Sequence, residues 1–433
     1  MSGALKIAQL LAGTYRDSES GEPVGVKTLA LAIEATLDGC ERQLIDALGF
    51  DKRLAVVSDT NTHAALAGRV ESALRGRYDV ASVVLPGTPH PDDTTVAVVR
   101  KAVASADALI AVGSGTINDV CKYAGALDGK PYAVFATAPS MNGYTSLNAA
   151  ITVHGHKLSL PAQAPAGAFF DLAVLAAAPT RLIRAGLGDS LCRATAQADW
   201  LLSHLLLGTP YRQLPFDLLT DDEAPLFSNA PGLLAGDLDV MRNLVRTLVL
   251  AGFGTAIVGH SQPASQGEHL VSHYIDMFEP AGRPQVFHGE QVGVTTLSMA
   301  RLQERMLESP PHVVPDPRTQ SDFVARYGEG LGQSCWNEYE RKRLDGRRAE
   351  ALNATIAANW PTVVERVGAI TLPSAHLAAV LRSAGSDVTP GDIHLSEAFY
   401  REALGRCRDI RDRYTFLDLA AGAGRLDAML PKL

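Results

Sequence analysis

The chain has 433 residues, 46% of them hydrophobic, and a formal net charge of −8. That length holds two domains with a substantial core each, and that composition excludes a disordered chain. The acidic balance excludes a general affinity for nucleic acid or for an anionic membrane, so recognition of phosphate has to be local. Up to about Val26 the pattern predicts little more than a helix lying across the first domain. Strands and helices then alternate. Apolar runs at 53–58, 80–85, 108–112 and 132–136 read as buried strands, and 64–74, 94–105 and 117–127 as helices between them. Short apolar strands separated by helices of that length imply a parallel sheet covered on both faces. Two further strands are expected at 151–153 and 169–175, with a junction at 176–179. Beyond it strand signals fade, and 180–207, 238–258, 264–277, 286–307 and 347–367 read as helices. Segment 309–318 carries four prolines and reads as a surface connection. The expected organisation is an α/β, Rossmann-like domain over 1–178 followed by an all-α domain over 179–433.

Five cysteines (Cys40, Cys121, Cys192, Cys335, Cys407) form no CxxC pair, which argues against a disulfide framework or a structural zinc cluster and predicts a reducing, cytoplasmic setting. The early apolar run is too weak for a signal peptide. The uncharged stretch 247–259 is too short to span a bilayer and reads as a core helix, so no membrane insertion is expected.

Three constellations carry candidate chemistry. Gly113-Ser114-Gly115-Thr116-Ile117 follows a buried strand and opens a helix. Such a loop lets main-chain N–H groups face an anion. It is not GxGxxG, and taken alone it equally reads as a plain strand-to-helix turn. Thr137-Ala138-Pro139-Ser140, with Asn142 and Ser146 beyond, emerges at the same sheet edge, where parallel strands build a dinucleotide crevice. Alone it is a long polar turn. Asp59, past the first strand, is placed to accept hydrogen bonds from a ribose and to repel a 2′-phosphate, or it is a helix cap. The third set is Asp189, His269 and His288. His269 and His273 are four apart and share a helix face. His288 opens His-Gly-Glu, and Asp189 lies beside two glycines. One carboxylate and two imidazoles are three ligands for a divalent metal with coordination left open. His63, His90, His204 and His312 have no comparable context.

Taken together, Gly113–Asp119, Thr137–Ser140, Gly188-Asp189, Ala198-Asp-Trp200, Pro263-Ala-Ser265 with Glu268-His269 and Ser272-His273, and His288–Gly293 resemble the iron-containing alcohol dehydrogenase and dehydroquinate synthase-like superfamily. Within it they are most similar to the sn-glycerol-1-phosphate dehydrogenase family. The resemblance spans roughly the central half of the chain, and jointly the motifs are far more specific than any one alone. It implies a Rossmann-like domain and a helical domain, and reversible reduction of dihydroxyacetone phosphate, a small phosphorylated substrate, by NADH or NADPH. It implies that Gly113, Ser114, Gly115, Thr116 and Ile117 hold the pyrophosphate, that Thr137, Ala138, Pro139, Ser140 and Ser146 also hold the cofactor, and that Asp189, His269 and His288 ligate one zinc, iron or nickel ion. Asp189, His273 and Asn142 would meet the substrate. Lys157 and Arg193 are candidates for its phosphate, and a homo-oligomer is expected. The chain departs from the family where Asn142 replaces an expected aspartate, Gln262 a common arginine and Gln266 a common glycine. Those changes leave open another polyol or phosphorylated alcohol as substrate. The short hydroxyl-rich second loop and the Pro-Ala-Ser…Glu-His segment argue against a dehydroquinate synthase-like lyase, and the full ligand set against a non-catalytic nucleotide-binding protein.

Overall fold

A computed structural model describes residues 2–433. The chain forms two compact units. The first comprises residues up to Ser190 with 212–261 and 383–385; the second comprises 191–211, 262–382 and 386–433. The sequence pattern groups 179–190 and 212–261 with the helical half, whereas here they pack with the first unit.

The first unit is built on a six-stranded sheet: β1 (Ala30–Glu34), β2 (Arg53–Asp59), β3 (Asp79–Leu85), β4 (Ala108–Gly113), β5 (Tyr132–Ala136) and β6 (Gly167–Asp171), in the order β1-β6-β5-β4-β2-β3. All pairings are parallel, with Val57 opposite Ala111 and Ala111 opposite Val134. Strands β4, β5 and β6 are buried along their whole length, as two helix-covered faces require. The chain leaves β2 for the edge strand β3, then returns to the other side of β2 as β4. Successive connections therefore diverge between β2 and β4, the topological switch point where such sheets bind ligands at their carboxyl ends. Asp59 ends β2 and Gly113 ends β4.

The expected strand at 169–175 ends at Asp171, whose carboxylate caps a short helix over Leu172–Ala176 by accepting from the Val174 N–H. The strand expected at 151–153 is one arm of an antiparallel hairpin, Asn148–Val153 with His156–Pro161. At the N-terminus a helix, Gly3–Leu11, is followed by a small ribbon pairing Tyr15-Arg16 with Pro23-Val24.

Helix α1 (Gly115–Asp128) follows β4, and the first unit also holds α2 (Thr180–Leu191) up to Ser190 and α4 (Leu238–Val258). α4 is the one helix, among the described residues, long and apolar enough to cross a membrane; 67% of its most apolar window is buried in the fold. The loop after β5 runs between α2 and α4. A Cβ at Gly186 would overlap the Pro139 carbonyl, and one at Gly252 would overlap the Thr145 hydroxyl. Thr145 Oγ1 donates to the Val249 carbonyl at 2.8 Å, tying the same loop to α4.

In the second unit, α3 (Arg193–Leu207), α5 (Gly267–Phe278) and α6 (His288–Leu307) pack on one another. Their core includes Leu202, Leu270, Tyr274, Met299 and Leu302. One helix is expected over 180–207, but it breaks at Cys192. The Cys192 carbonyl accepts from the N–H groups of both Thr195 and Ala196 and from Thr195 Oγ1, which tightens the turn. The four-proline segment has no regular structure but is pinned: Val313 N–H donates to Asn353 and Val314 N–H to the Gly422 carbonyl.

Gly186→Ala is expected to lower stability by about 1–3 kcal/mol through overpacking against the Pro139 carbonyl. Gly330→Ala, where nothing lies within 4 Å of the added carbon, should leave it within about 1 kcal/mol. Chemical denaturation of both variants checks the contrast; equal midpoints would refute the close-approach argument.

Candidate active site

In the first unit the loops after β2, β4 and β5 share the carboxyl edge of the sheet. Asp59 Oδ1 accepts the N–H groups of Asn61 and Thr62, both at 2.8 Å, so it caps the next helix. Gly113 ends β4, and its carbonyl accepts the Thr137 N–H at 3.1 Å, which locks the two loops together. Ser114 is the N-cap of α1 but makes no side-chain capping bond, so the N–H groups of that first turn remain for another acceptor. Ser114, Gly115 and Thr116 are partly exposed, while Ile117 buries its side chain. This suits main-chain recognition of an anion. Thr137, Pro139 and Ser140 are buried, and the Ala138 carbonyl accepts the Tyr144 hydroxyl at 2.6 Å.

Ser146 is committed differently from a simple ligand contact. Its hydroxyl lies 3.1 Å from the Lys122 ammonium and 3.0 Å from the Gly143 and Asn148 carbonyls. Asp189, on α2, is buried, and its Oδ2 accepts the Asn142 N–H at 2.6 Å. Lys157 lies on the hairpin, where its charge acts on Asp119.

The second unit gathers three imidazoles. Ring centroids are 5.0 Å apart for His269 and His288, and 6.1 Å from His273 to each. His269 Nδ1 lies 2.9 Å from Glu268 Oε1, and His288 Nδ1 lies 3.3 Å from Ser272 Oγ. A ligating histidine holds its other ring nitrogen in such a bond, which fixes tautomer and ring orientation. The pair therefore fits a divalent ion taken through Nε2 of each ring.

Glu268 is fully buried and also accepts the Gln266 N–H at 2.7 Å and the Thr195 hydroxyl at 3.0 Å. Burial pushes its pKa up, but the hydrogen bond and charge of His269 and the Gln266 N–H outweigh that and hold it below the ordinary carboxylate value. Cys192 Sγ stands within 4.8 Å of donor atoms on Glu268 and His269. Asp199 Oδ2 accepts the Gly267 N–H and its Oδ1 the Phe416 N–H, so it secures the start of α5. Burial, with the Glu268 charge beside it, pushes Asp199 up to about 8. Helix α5 begins at Gly267 and not at 264, where Gln266 gives its N–H to Glu268 and Gly267 gives its N–H to Asp199. Glu290 accepts the Phe287 N–H at 2.7 Å and caps α6. Arg193 donates to Gln197 at 3.1 Å.

Sequence reasoning named none of Lys122, Asp199, Glu268 or Ser272 as site residues. Glu268 carried the one usable signal, a carboxylate directly preceding a candidate ligand. The others act through contacts 16–217 residues apart in sequence, several of them to main-chain groups, which no local spacing reveals.

A model of the iron-containing alcohol dehydrogenase family matches residues 33–179. The chain is 30% identical over 372 residues to the glycerol-1-phosphate dehydrogenase (NAD(P)+) of Halalkalibacterium halodurans, covering 84% of this chain and 85% of that one. It is 28% identical over 387 residues to the enzyme of the same name from Bacillus licheniformis, covering 88% and 86%. Among solved structures it resembles sulfoacetaldehyde reductase from Bifidobacterium kashiwanohense in complex with NAD+, with a TM-score of 0.61, 16% identity, and 94% of this chain and 97% of that one covered. At that identity the likeness speaks for the fold alone, which is the expected Rossmann-like and helical pair.

The raised Asp199 value means that folding takes up a proton. Its stabilising contribution is full below the ordinary value of 3.8 and is lost as pH climbs through about 8. Asp199→Asn, neutral at every pH, should therefore lose less thermal stability than the parent between about pH 6 and pH 9. Parallel melting curves across that range would refute the assignment.

Proposed function

Because the chain belongs to the glycerol-1-phosphate dehydrogenase family, we propose that it reduces dihydroxyacetone phosphate to sn-glycerol 1-phosphate, reversibly, with NADH or NADPH and one divalent metal ion. The observation that carries this reading is the His269–His288 pair, each ring tethered through Nδ1 and 5.0 Å apart between centroids. A zinc, iron or nickel ion supplies Lewis acidity toward the reacting oxygen and the nicotinamide supplies the hydride.

The residues supply the rest. His269 and His288 hold the ion, and Asp189 is the third ligand of the proposal, with its carboxylate steered by the Asn142 N–H. Glu268 and Ser272 keep both imidazoles in the Nδ1-bonded tautomer and leave Nε2 for ligation. His273, one turn along α5 from His269, meets the substrate and donates the proton to the product oxygen, a task suited to an imidazole near neutral pH. The first turn of α1, from Gly113 to Ile117, takes the pyrophosphate through main-chain N–H groups, supported by its uncapped state and by its place at the switch point. Thr137 to Ser140 line the same crevice. Asp59 retains Oδ2 for a ribose hydroxyl while Oδ1 caps its helix.

A second reading is favoured by Asn142, which offers an amide where the family has a carboxylate. Under it the substrate is another polyol or phosphorylated alcohol. The five cysteines fall in no CxxC spacing, which supports a reducing, cytoplasmic setting.

Metal-reconstituted protein should oxidise NADH with dihydroxyacetone phosphate and do so poorly with dihydroxyacetone. Robust turnover of glycerol with none of the phosphorylated substrate would transfer the assignment to the second reading. His269→Ala should lose bound metal and activity together. Glu268→Gln should weaken metal affinity by about 10–100-fold with the fold retained, as read by metal content after dialysis against a chelator; parental affinity would remove Glu268 from this role.

A further inference from the structure

Lys122 lies on α1, beyond Gly113 to Ile117, the residues proposed to hold the pyrophosphate, and its side chain is fully buried. Its ammonium donates to the Gly143 carbonyl at 2.6 Å, to Ser146 Oγ at 3.1 Å and to the Asn148 carbonyl at 3.0 Å. An ammonium has three N–H groups, and all three are spent on one six-residue stretch of the loop after β5. Its counter-ion is Asp119, one turn back on α1 at 3.7 Å. Asp119 Oδ2 reaches the same region by accepting the Ala150 N–H at 3.1 Å. The loop held in this way begins beside Asn142, whose own N–H binds Asp189.

We propose that Lys122 is a positioning residue that couples the cofactor helix to the loop carrying Asn142 and Ser146, so that an occupied cofactor site sets the geometry of Asn142 and, through it, Asp189. This rests on the cofactor reading given above. The energetics favour a purpose beyond filling space. An isolated buried ammonium is strongly unfavourable, and a buried apolar side chain of similar length would pack α1 at lower cost. What the charge adds is directional: three fixed acceptors on a loop that otherwise has few regular hydrogen bonds. A methylene chain cannot specify that loop's register against α1. Ser146 thereby gains a role distinct from direct cofactor contact, as an acceptor through which the loop is pulled onto the helix.

The test is hydrogen–deuterium exchange of peptides covering 113–118 and 141–149, with and without NADH, in the parent and in Lys122→Met. In the parent, NADH should slow exchange in both segments, by about threefold or more. In Lys122→Met it should still slow exchange at 113–118 but produce less than half that effect at 141–149. KM for the ketone should rise by about tenfold as the loop loses its register. Equal NADH-dependent protection of both segments in the variant would overturn the coupling, even if its melting temperature fell, since a purely structural lysine changes stability and not the spread of the cofactor's effect. A parent that shows no NADH protection at 113–118 would instead refute the cofactor reading, and the coupling with it. If Lys122→Met does not fold, Asp119→Asn keeps the Lys122 side chain and its three loop acceptors but removes its counter-ion. It should weaken the protection of 141–149 by NADH by about half, and unchanged protection there would overturn the proposal.

Discussion

The first unit is organised by the close approach of a carbonyl to a helix. Pro139 brings its main chain against α2 at Gly186, where no side chain fits. That contact fixes the loop after β5 at the height of Asp189, whose carboxylate accepts the Asn142 N–H. The same loop is held from the opposite side by α4, through Gly252 and the Thr145 hydroxyl. Helical segments that read as part of the second domain pack here because the loop needs a wall on each face. Parallel sheets carry their ligands on such loops, and loops are precise only when rigid elements clamp them.

Buried ionisable groups follow the same logic in both units. Lys122, Glu268 and Asp199 are almost wholly removed from water. Each would be costly if unpaired, and each has its partners: three loop acceptors for Lys122, three donors for Glu268, and two main-chain N–H groups for Asp199. The partners are mostly main-chain atoms at helix starts and in loops. A buried charge that bonds to main chain fixes backbone position, whereas one that bonds another side chain fixes only two rotamers. Glu268 and Asp199 together determine where α5 begins, and His269 stands in that first turn. The orientation of a candidate ligand is thus inherited from two buried carboxyl groups.

Much of the fold was legible because the central strands bury both faces. Continuous apolar runs at β2, β4 and β5 need no periodicity to be recognised, and the helices α4, α5 and α6 carried clear apolar faces. The edge strand β1 escaped notice: it pairs on one side only and is half-exposed throughout, so its composition is mixed. The second arm of the hairpin, His156–Pro161, is likewise partly exposed and carries a lysine and a serine. The end of β6 is not legible in the sequence, because Leu172 to Leu175 is apolar in either state and the capping Asp171 decides for helix. Of the candidate site, the histidines and the glycine loop were readable because their chemistry is local in sequence. Lys122 was not, because its partners are two carbonyls and a hydroxyl more than twenty residues on.

The departure at position 142 takes on a different weight once the main chain is considered. Asp189 is oriented by the N–H of residue 142, and every residue other than proline supplies that group. Exchanging aspartate for asparagine there changes what the side chain offers a substrate without disturbing the bond that steers the carboxylate. Pro139, Thr145 and Lys122 secure the position of the same loop. The N–H of residue 142 therefore steers Asp189 whichever side chain stands there, proline excepted. Under the proposed function, an exchange of carboxylate for amide at this position would alter what meets the substrate while leaving that main-chain bond in place.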